Sequence, residues 1–122
     1  MKKILIVDDQ DKIRELVHVT IRIGDYEILE AASGDEAVEV ARRHQPDLIF
    51  LDVMMPNSSL DGFEVCKILK EDERTKNAHI LMLTALDKEE DIERGKEVGA
   101  DGYFTKPFSP LELMSKVEEI LG

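Results

Sequence analysis

The chain has 122 residues, 43% of them apolar and 35% charged, a balance that suits one globular domain over 1–122 and argues against disorder. Asp plus Glu number 27 against 16 for Lys plus Arg, a formal net charge of −11, so no general attraction to nucleic acid or to an anionic membrane follows. The single cysteine, Cys66, cannot form an internal disulfide, and the short apolar run Ile4 to Val7 suits neither a secretion signal nor the ~20-residue span of a membrane helix.

Strand-like and helix-like segments alternate five times. Ile4-Leu5-Ile6-Val7 is an unbroken apolar run that ends in Asp8-Asp9. The segment Lys12 to Ile23 places Ile13, Leu16, Val17 and Ile21 on one helical face. Tyr26 to Ala31 is a weaker strand interrupted by Glu27 and Glu30, as an edge strand would be. Ser33 with Glu36 predicts a capping box for a helix running to about His44, with Pro46 just beyond. Leu48-Ile49-Phe50-Leu51 is again wholly apolar and ends in Asp52. Asp61 precedes a helix with Phe63, Cys66 and Leu69 inward. Ile80-Leu81-Met82-Leu83 ends in Thr84, and Asp87 is the expected cap of a fourth helix ending near Gly99. That helix has only Ile92 and Val98 as large apolar residues and Gly95 in its middle, so it is expected to be among the more mobile elements. A short strand at Tyr103-Phe104 precedes a final helix that starts at Ser109-Pro110 and carries Leu113, Met114, Val117, Ile120 and Leu121 on its stripe.

Short, continuously apolar strands are those covered on both faces, as in a parallel sheet. Right-handed crossovers then predict a doubly wound α/β fold with helices on both faces. Placing the three most apolar strands centrally and the other two at the edges gives the strand order 2-1-3-4-5. Ligands in such sheets bind beyond the carboxyl ends of the strands beside the point where the winding reverses. Asp8, Asp9 and Asp52 converge there, with Thr84 one strand further on.

Three carboxylates at one point repel each other unless one is protonated or a cation binds. Oxygen donors without His or Cys favour Mg²⁺. A carboxylate can also attack phosphorus to give an acyl phosphate, and the charge on the transferred group must then be neutralised. Lys106 and Thr84, each after a late strand, are placed to help with that.

The ordered set of motifs resembles the receiver domain of two-component response regulators over essentially the whole chain. The matching residues are Ile4-Leu5-Ile6-Val7-Asp8-Asp9, Asp52-Val53-Met54-Met55-Pro56 with Asp61-Gly62, Leu83-Thr84-Ala85, Gly99-Ala100-Asp101-Gly102-Tyr103, and Lys106-Pro107-Phe108. Each is weak alone, while the set at the ends of the right strands is specific. The resemblance implies a flavodoxin-like fold and a phosphorylation-activated signalling switch. It makes Asp52 the phosphoacceptor. Asp9, Asp52 and the backbone carbonyl of Met54 would bind Mg²⁺ directly, with Asp8 contributing through water. Lys106 would pair with the phosphoryl group, the Lys106-Pro107 bond would be cis, and Thr84 and Tyr103 would relay the change to the face formed by the fourth helix, fifth strand and fifth helix. The implied partners are a sensor histidine kinase or histidine phosphotransfer protein upstream, and an effector protein or a C-terminal output domain downstream. The implied setting is cytoplasmic, with neither nucleic acid nor membrane bound directly by this domain.

One departure stands out. The family usually has two residues between the proline of the third loop and the following Asp-Gly, and here there are four, Asn57-Ser58-Ser59-Leu60. Metal or phosphate access, or the lifetime of the phosphoryl group, could differ as a result.

Three other functions fit these residues less well. A flavin protein needs a loop of backbone donors after the first strand, where this chain has Asp8-Asp9-Gln10-Asp11. An aspartyl phosphatase usually has a second acid two residues after its nucleophile, where Met54 stands here. A metal-independent interaction module would not need the complete set of acids, threonine and lysine. Cys66 reads as a core residue, and His18, His44 and His79 have no metal-ligand spacing. Val19 and Ile23 lie off the stripe of the first helix, either as docking surface for a phosphodonor protein or as peripheral packing.

Overall fold

The computed structural model describes residues 1–22, 24–56, 58–84 and 89–122. Five strands alternate with five helices: β1 (Lys2–Val7), α1 (Asp11–Ile21), β2 (Tyr26–Ala31), α2 (Gly34–His44), β3 (Leu48–Asp52), α3 (Gly62–Glu71), β4 (His79–Thr84), α4 (Glu89–Glu97), β5 (Gly102–Thr105) and α5 (Pro110–Leu121). The strands form one sheet in the order β2-β1-β3-β4-β5, all pairs parallel. The three apolar strands are central and the two more polar ones are edges, as their composition requires.

Alternation along each strand feeds two cores. Ile4, Ile6, Leu48, Phe50, Leu81 and Leu83 face α1 and α5, where Val17, Ile21, Leu113 and Val117 are buried. Phe104 bridges Phe50 and Phe108 there, with ring centroids 6.1 and 4.8 Å apart. Leu5, Val7, Ile49, Leu51, Ile80 and Met82 face the other way, against Ala37 and Ala41 of α2 and Phe63, Val65, Cys66 and Leu69 of α3. Cys66 is a fully buried member of that core, and its thiol is pushed up to about 11 by burial.

The helix starts follow their capping chemistry. Asp61 and Ser109 each form a complete reciprocal box, with Glu64 and Glu112. The box expected at Ser33 is only half made. Ser33 Oγ accepts the Glu36 N–H at 3.2 Å, but the Glu36 carboxylate instead accepts the Ala32 N–H at 3.4 Å. Thr20, a polar residue outside the expected stripe of α1, is buried as well. The expected cap Asp87, together with Ile23, Asn57 and Ala85, lies outside the described residues.

The first residue of α3 is held close to the end of β3. A Cβ on Gly62 would lie 2.3 Å from the Asp52 carbonyl oxygen and 2.8 Å from Val53 Cα. Both are backbone atoms of the segment that carries Asp52, so they cannot swing aside. Gly62→Ala is therefore expected to lower stability by about 2 kcal/mol, within the range for overpacking. Urea denaturation checks this, and an unchanged midpoint would show that the loop can yield.

Candidate functional site

The site is built at the carboxyl ends of β1 and β3. The pairing of Val7 with Leu51 brings the next residue of each strand, Asp8 and Asp52, side by side. Asp8 is fully buried, Asp52 nearly so, and Asp9 half-buried. A carboxylate oxygen from each of the three lies within 4.8 Å of the others.

The two buried acids are already engaged. Asp8 Oδ1 accepts the Gln10 N–H at 2.9 Å, and its Oδ2 accepts from Lys106 Nζ at 2.7 Å. Asp52 Oδ1 accepts the Met54 N–H at 3.2 Å, and Lys106 Nζ stands 3.4 Å from its Oδ2. Lys106 reaches this point from the loop after β5, where its own N–H donates to the Thr84 carbonyl at 2.7 Å. The Lys106-Pro107 peptide bond is cis. Thr84 is buried at the end of β4, opposite Thr105 of β5. The Met54 side chain is 72% exposed and stands at the rim. Tyr103 lies one strand further out, half-buried beneath α4, where its hydroxyl donates to the Ile92 carbonyl. Its phenol is raised above the usual range, chiefly by burial. Asp8, Asp9, Asp52, Thr84 and Lys106 therefore gather at the carboxyl edge of the sheet, while Tyr103 lies within β5 on the flank, outside the acidic cluster.

Burial, and then the charge of Asp8, raise Asp52 from an ordinary 3.8 to about 6, against the opposing pull of Lys106 and the Met54 N–H. One lysine is thus not enough to neutralise the cluster. A small divalent cation would relieve the remaining repulsion, and the donors are all oxygens. The chemistry of the donor set and the raised Asp52 both fit Mg²⁺.

Several supporting groups left no signal in the sequence. Arg14 Nη1 donates to the Asp8 carbonyl at 2.6 Å. Ser58, in the lengthened loop, accepts the Gly34 N–H at 2.7 Å and donates to the Leu60 carbonyl at 2.7 Å. Ser59 donates to the Asp35 carboxylate. The described part of the longer loop is thus fastened to the start of α2. Neither a serine pair nor an arginine on a helix announces such a partner from sequence spacing alone.

A doubly wound sheet of this order with an acidic cluster at its switch point is the architecture of a signalling receiver. The family model for the response regulator receiver domain matches residues 4–118, and the chain belongs to that family. It is 48% identical over 120 residues to the alkaline phosphatase synthesis transcriptional regulatory protein PhoP of Bacillus subtilis, covering 98% of this chain and 48% of that protein. It is 47% identical over 120 residues to the phosphate regulon transcriptional regulatory protein PhoB of Pseudomonas aeruginosa, covering 98% and 52% respectively. The chain spans about half the length of these curated relatives. Among solved structures, the chemotaxis protein CheY4 of Vibrio cholerae superposes with a TM-score of 0.91 at 38% identity, covering 98% of both chains.

The raised Asp52 has a thermodynamic consequence. A carboxyl that holds its proton more tightly folded than unfolded loses stability as pH rises from about 4 to about 6, and the full cost is present above that. Asp52→Asn removes the cost. In buffer free of divalent cations, the variant should be more stable than the parent by on the order of 2–3 kcal/mol at pH 7. The difference should vanish near pH 4. Denaturant midpoints across that range measure it, and equal midpoints at pH 7 would mean that the ionised carboxylate is well tolerated.

Proposed function

We propose that this receiver domain is a phosphorylation-activated switch with Asp52 as its phosphoacceptor. The observation that supports this most directly is the grouping of Asp8, Asp9 and Asp52 oxygens within 4.8 Å, with Lys106 Nζ 2.7 Å from Asp8 and 3.4 Å from Asp52. In this reading a sensor histidine kinase or a histidine phosphotransfer protein presents a phosphohistidine. An Asp52 oxygen attacks phosphorus, the P–N bond to the donor histidine breaks, and an acyl phosphate forms on Asp52. Asp9, Asp52 and the Met54 carbonyl would hold Mg²⁺, with Asp8 acting through water. Both Asp8 oxygens already have partners, which supports the indirect role. When bound, the ion supplies positive charge to the phosphoryl oxygens.

Lys106 has the clearest part among the chain's own groups. Its ammonium exchanges a carboxylate partner for a phosphoryl oxygen, a charge-assisted contact of the same kind. Thr84 Oγ1 donates to another phosphoryl oxygen and shifts toward it. Tyr103, on the neighbouring strand, follows with α4. The new contacts bias a two-state equilibrium and alter the surface made by α4, β5 and α5. The domain therefore catalyses its own phosphorylation and a slow self-dephosphorylation, and it is not an enzyme acting on external substrates.

The domain works in the cytoplasm and signals to an effector protein or to a C-terminal output domain. The length of the relatives, which are named as transcriptional regulators, supports the output-domain reading. DNA contact would then belong to that second domain, since the net charge of −11 here gives nucleic acid no general attraction. Among the described residues, no helix is long and apolar enough to cross a membrane.

Intact-mass measurement after incubation with acetyl phosphate tests the reading. One phosphoryl group should be gained, only when Mg²⁺ is present, and not in Asp52→Asn. Failure to gain mass while Mg²⁺ still binds would direct attention to the Asn57–Leu60 loop. Absence of both would leave a phosphorylation-independent interaction module.

A further inference from the structure

Of the five helices, α4 has the least to hold it in place. It is the shortest of them, with nine residues over Glu89–Glu97, and among the described residues Gly95 is its one buried residue. Among the described residues, three side-chain contacts fasten its central turns. Gly95 lies on the Tyr103 ring, where a Cβ would come within 2.6 Å of the hydroxyl oxygen. The Tyr103 hydroxyl donates to the Ile92 carbonyl. The third contact belongs to Arg94, whose guanidinium carbon stands 4.4 Å from the centroid of the Phe63 ring and whose Nη2 is 3.6 Å from Asp61 Oδ2.

The first two contacts tie α4 to β5. The third ties it to the start of α3, the far end of the loop that begins at Asp52. The anchor there is firm. Asp61 Oδ1 accepts the Glu64 N–H at 2.9 Å, Glu64 Oε1 accepts the Asp61 N–H at 3.0 Å, and Phe63 is buried in the core. Arg94 is thus fixed to a rigid helix end on one side and to a weakly held helix on the other. A cleft of about 240 Å³, lined in part by Met54, Met55, Pro56 and Phe63 and by Arg94 itself, lies at this junction of α3 and α4.

We infer that Arg94 is a latch. It holds α4 against the start of α3, and so sets how often α4 leaves the arrangement seen here. It is a positioning residue, acting through Asp61 and Phe63. The ion pair is largely exposed and contributes little alone. The cation–π contact is the larger part. The consequence for signalling rests on the switch reading above, since a displaced β3–α3 loop would reach α4 through this residue as well as through Tyr103. The latch itself is a property of the unphosphorylated chain.

Hydrogen exchange read by mass spectrometry on the unphosphorylated full chain tests it. In Arg94→Ala, peptides covering α4 should exchange about three- to tenfold faster, while those from β1, β3 and β4 stay unchanged and report an intact fold. Arg94→Lys should lie between, because it keeps the charge without the planar fork. Asp61→Asn keeps a good N-cap while removing the charge, and should cause a smaller rise. Phe63→Leu should also speed exchange in α4, and adding it to Arg94→Ala should give less than the product of the two effects. Unchanged α4 exchange in Arg94→Ala, or full additivity with Phe63→Leu, overturns the latch. Phosphoryl uptake from acetyl phosphate with Mg²⁺ is followed separately. Its failure in the parent chain would remove the switch reading, while the exchange comparison would still decide the latch.

Discussion

Two carboxylates, Asp8 and Asp52, are buried next to each other at the ends of adjacent central strands, and a single lysine from the other end of the chain stands between them. Placing one ionised acid in a dry interior is expensive, and placing two together is more so unless partners compensate. Much of the chain serves that requirement. The Gln10 and Met54 amides turn back onto the carboxylates, and Arg14 holds the Asp8 carbonyl from α1. The loop after β5 delivers Lys106 from 98 residues away. The compensation stops short of complete, as the raised Asp52 shows. A site left in that condition gains from any species that brings positive charge to it, and it responds when the charge on Asp52 changes. In the proposed function, this electrostatic imbalance at rest is what would suit the cluster to receive a phosphoryl group.

A response at Asp52 matters only if part of the structure can yield to it. The two faces of the sheet differ in this respect. On one, α1 and α5 bury Val17, Ile21, Leu113 and Val117 against the strands, and an aromatic cluster closes the space below. On the other, α2 and α3 are similarly well buried, but among the described residues α4 buries only a glycine. Local opening is least costly where apolar burial is smallest. In the proposed switch, movement would be channelled into α4 and the adjoining β5, next to Thr84 and Tyr103, while the remaining helices keep the acidic cluster in register.

The fold was largely legible in the sequence because burial on both faces leaves an unmistakable pattern. Three unbroken apolar runs can hardly be anything but central strands, and Glu27 and Glu30 exclude β2 from the middle. The acidic site was legible for the same reason, since a strand that ends in Asp places that carboxylate at a known edge of the sheet. What escaped were contacts set by tertiary approach. Gly62 carries no hint in sequence that its missing Cβ makes room for the Asp52 carbonyl. Glu36 sits at the right spacing for a reciprocal box, yet it bonds the Ala32 N–H instead. Arg94 reads as one more charge on a polar helix, and only the packing of α3 reveals Phe63 beneath it. Side chains that act across elements are specified by geometry, and spacing within one element does not encode them.

The lengthened β3–α3 loop has attachments to two helices of unequal burial. Its extra residues have somewhere to go, because Ser58 takes the Gly34 N–H at the start of α2 and Ser59 bonds Asp35 in the first turn of the same helix. At its far end, Asp61 and Phe63 face Arg94 of α4. The segment that leaves Asp52 is thus held on one side by a well-buried helix and on the other by a poorly buried one. If the phosphoryl group pulls on this loop, the α2 attachment resists and the α4 attachment gives. On the proposed reading the added length would serve as a brace against α2 and direct the strain from Asp52 toward the helix least able to oppose it.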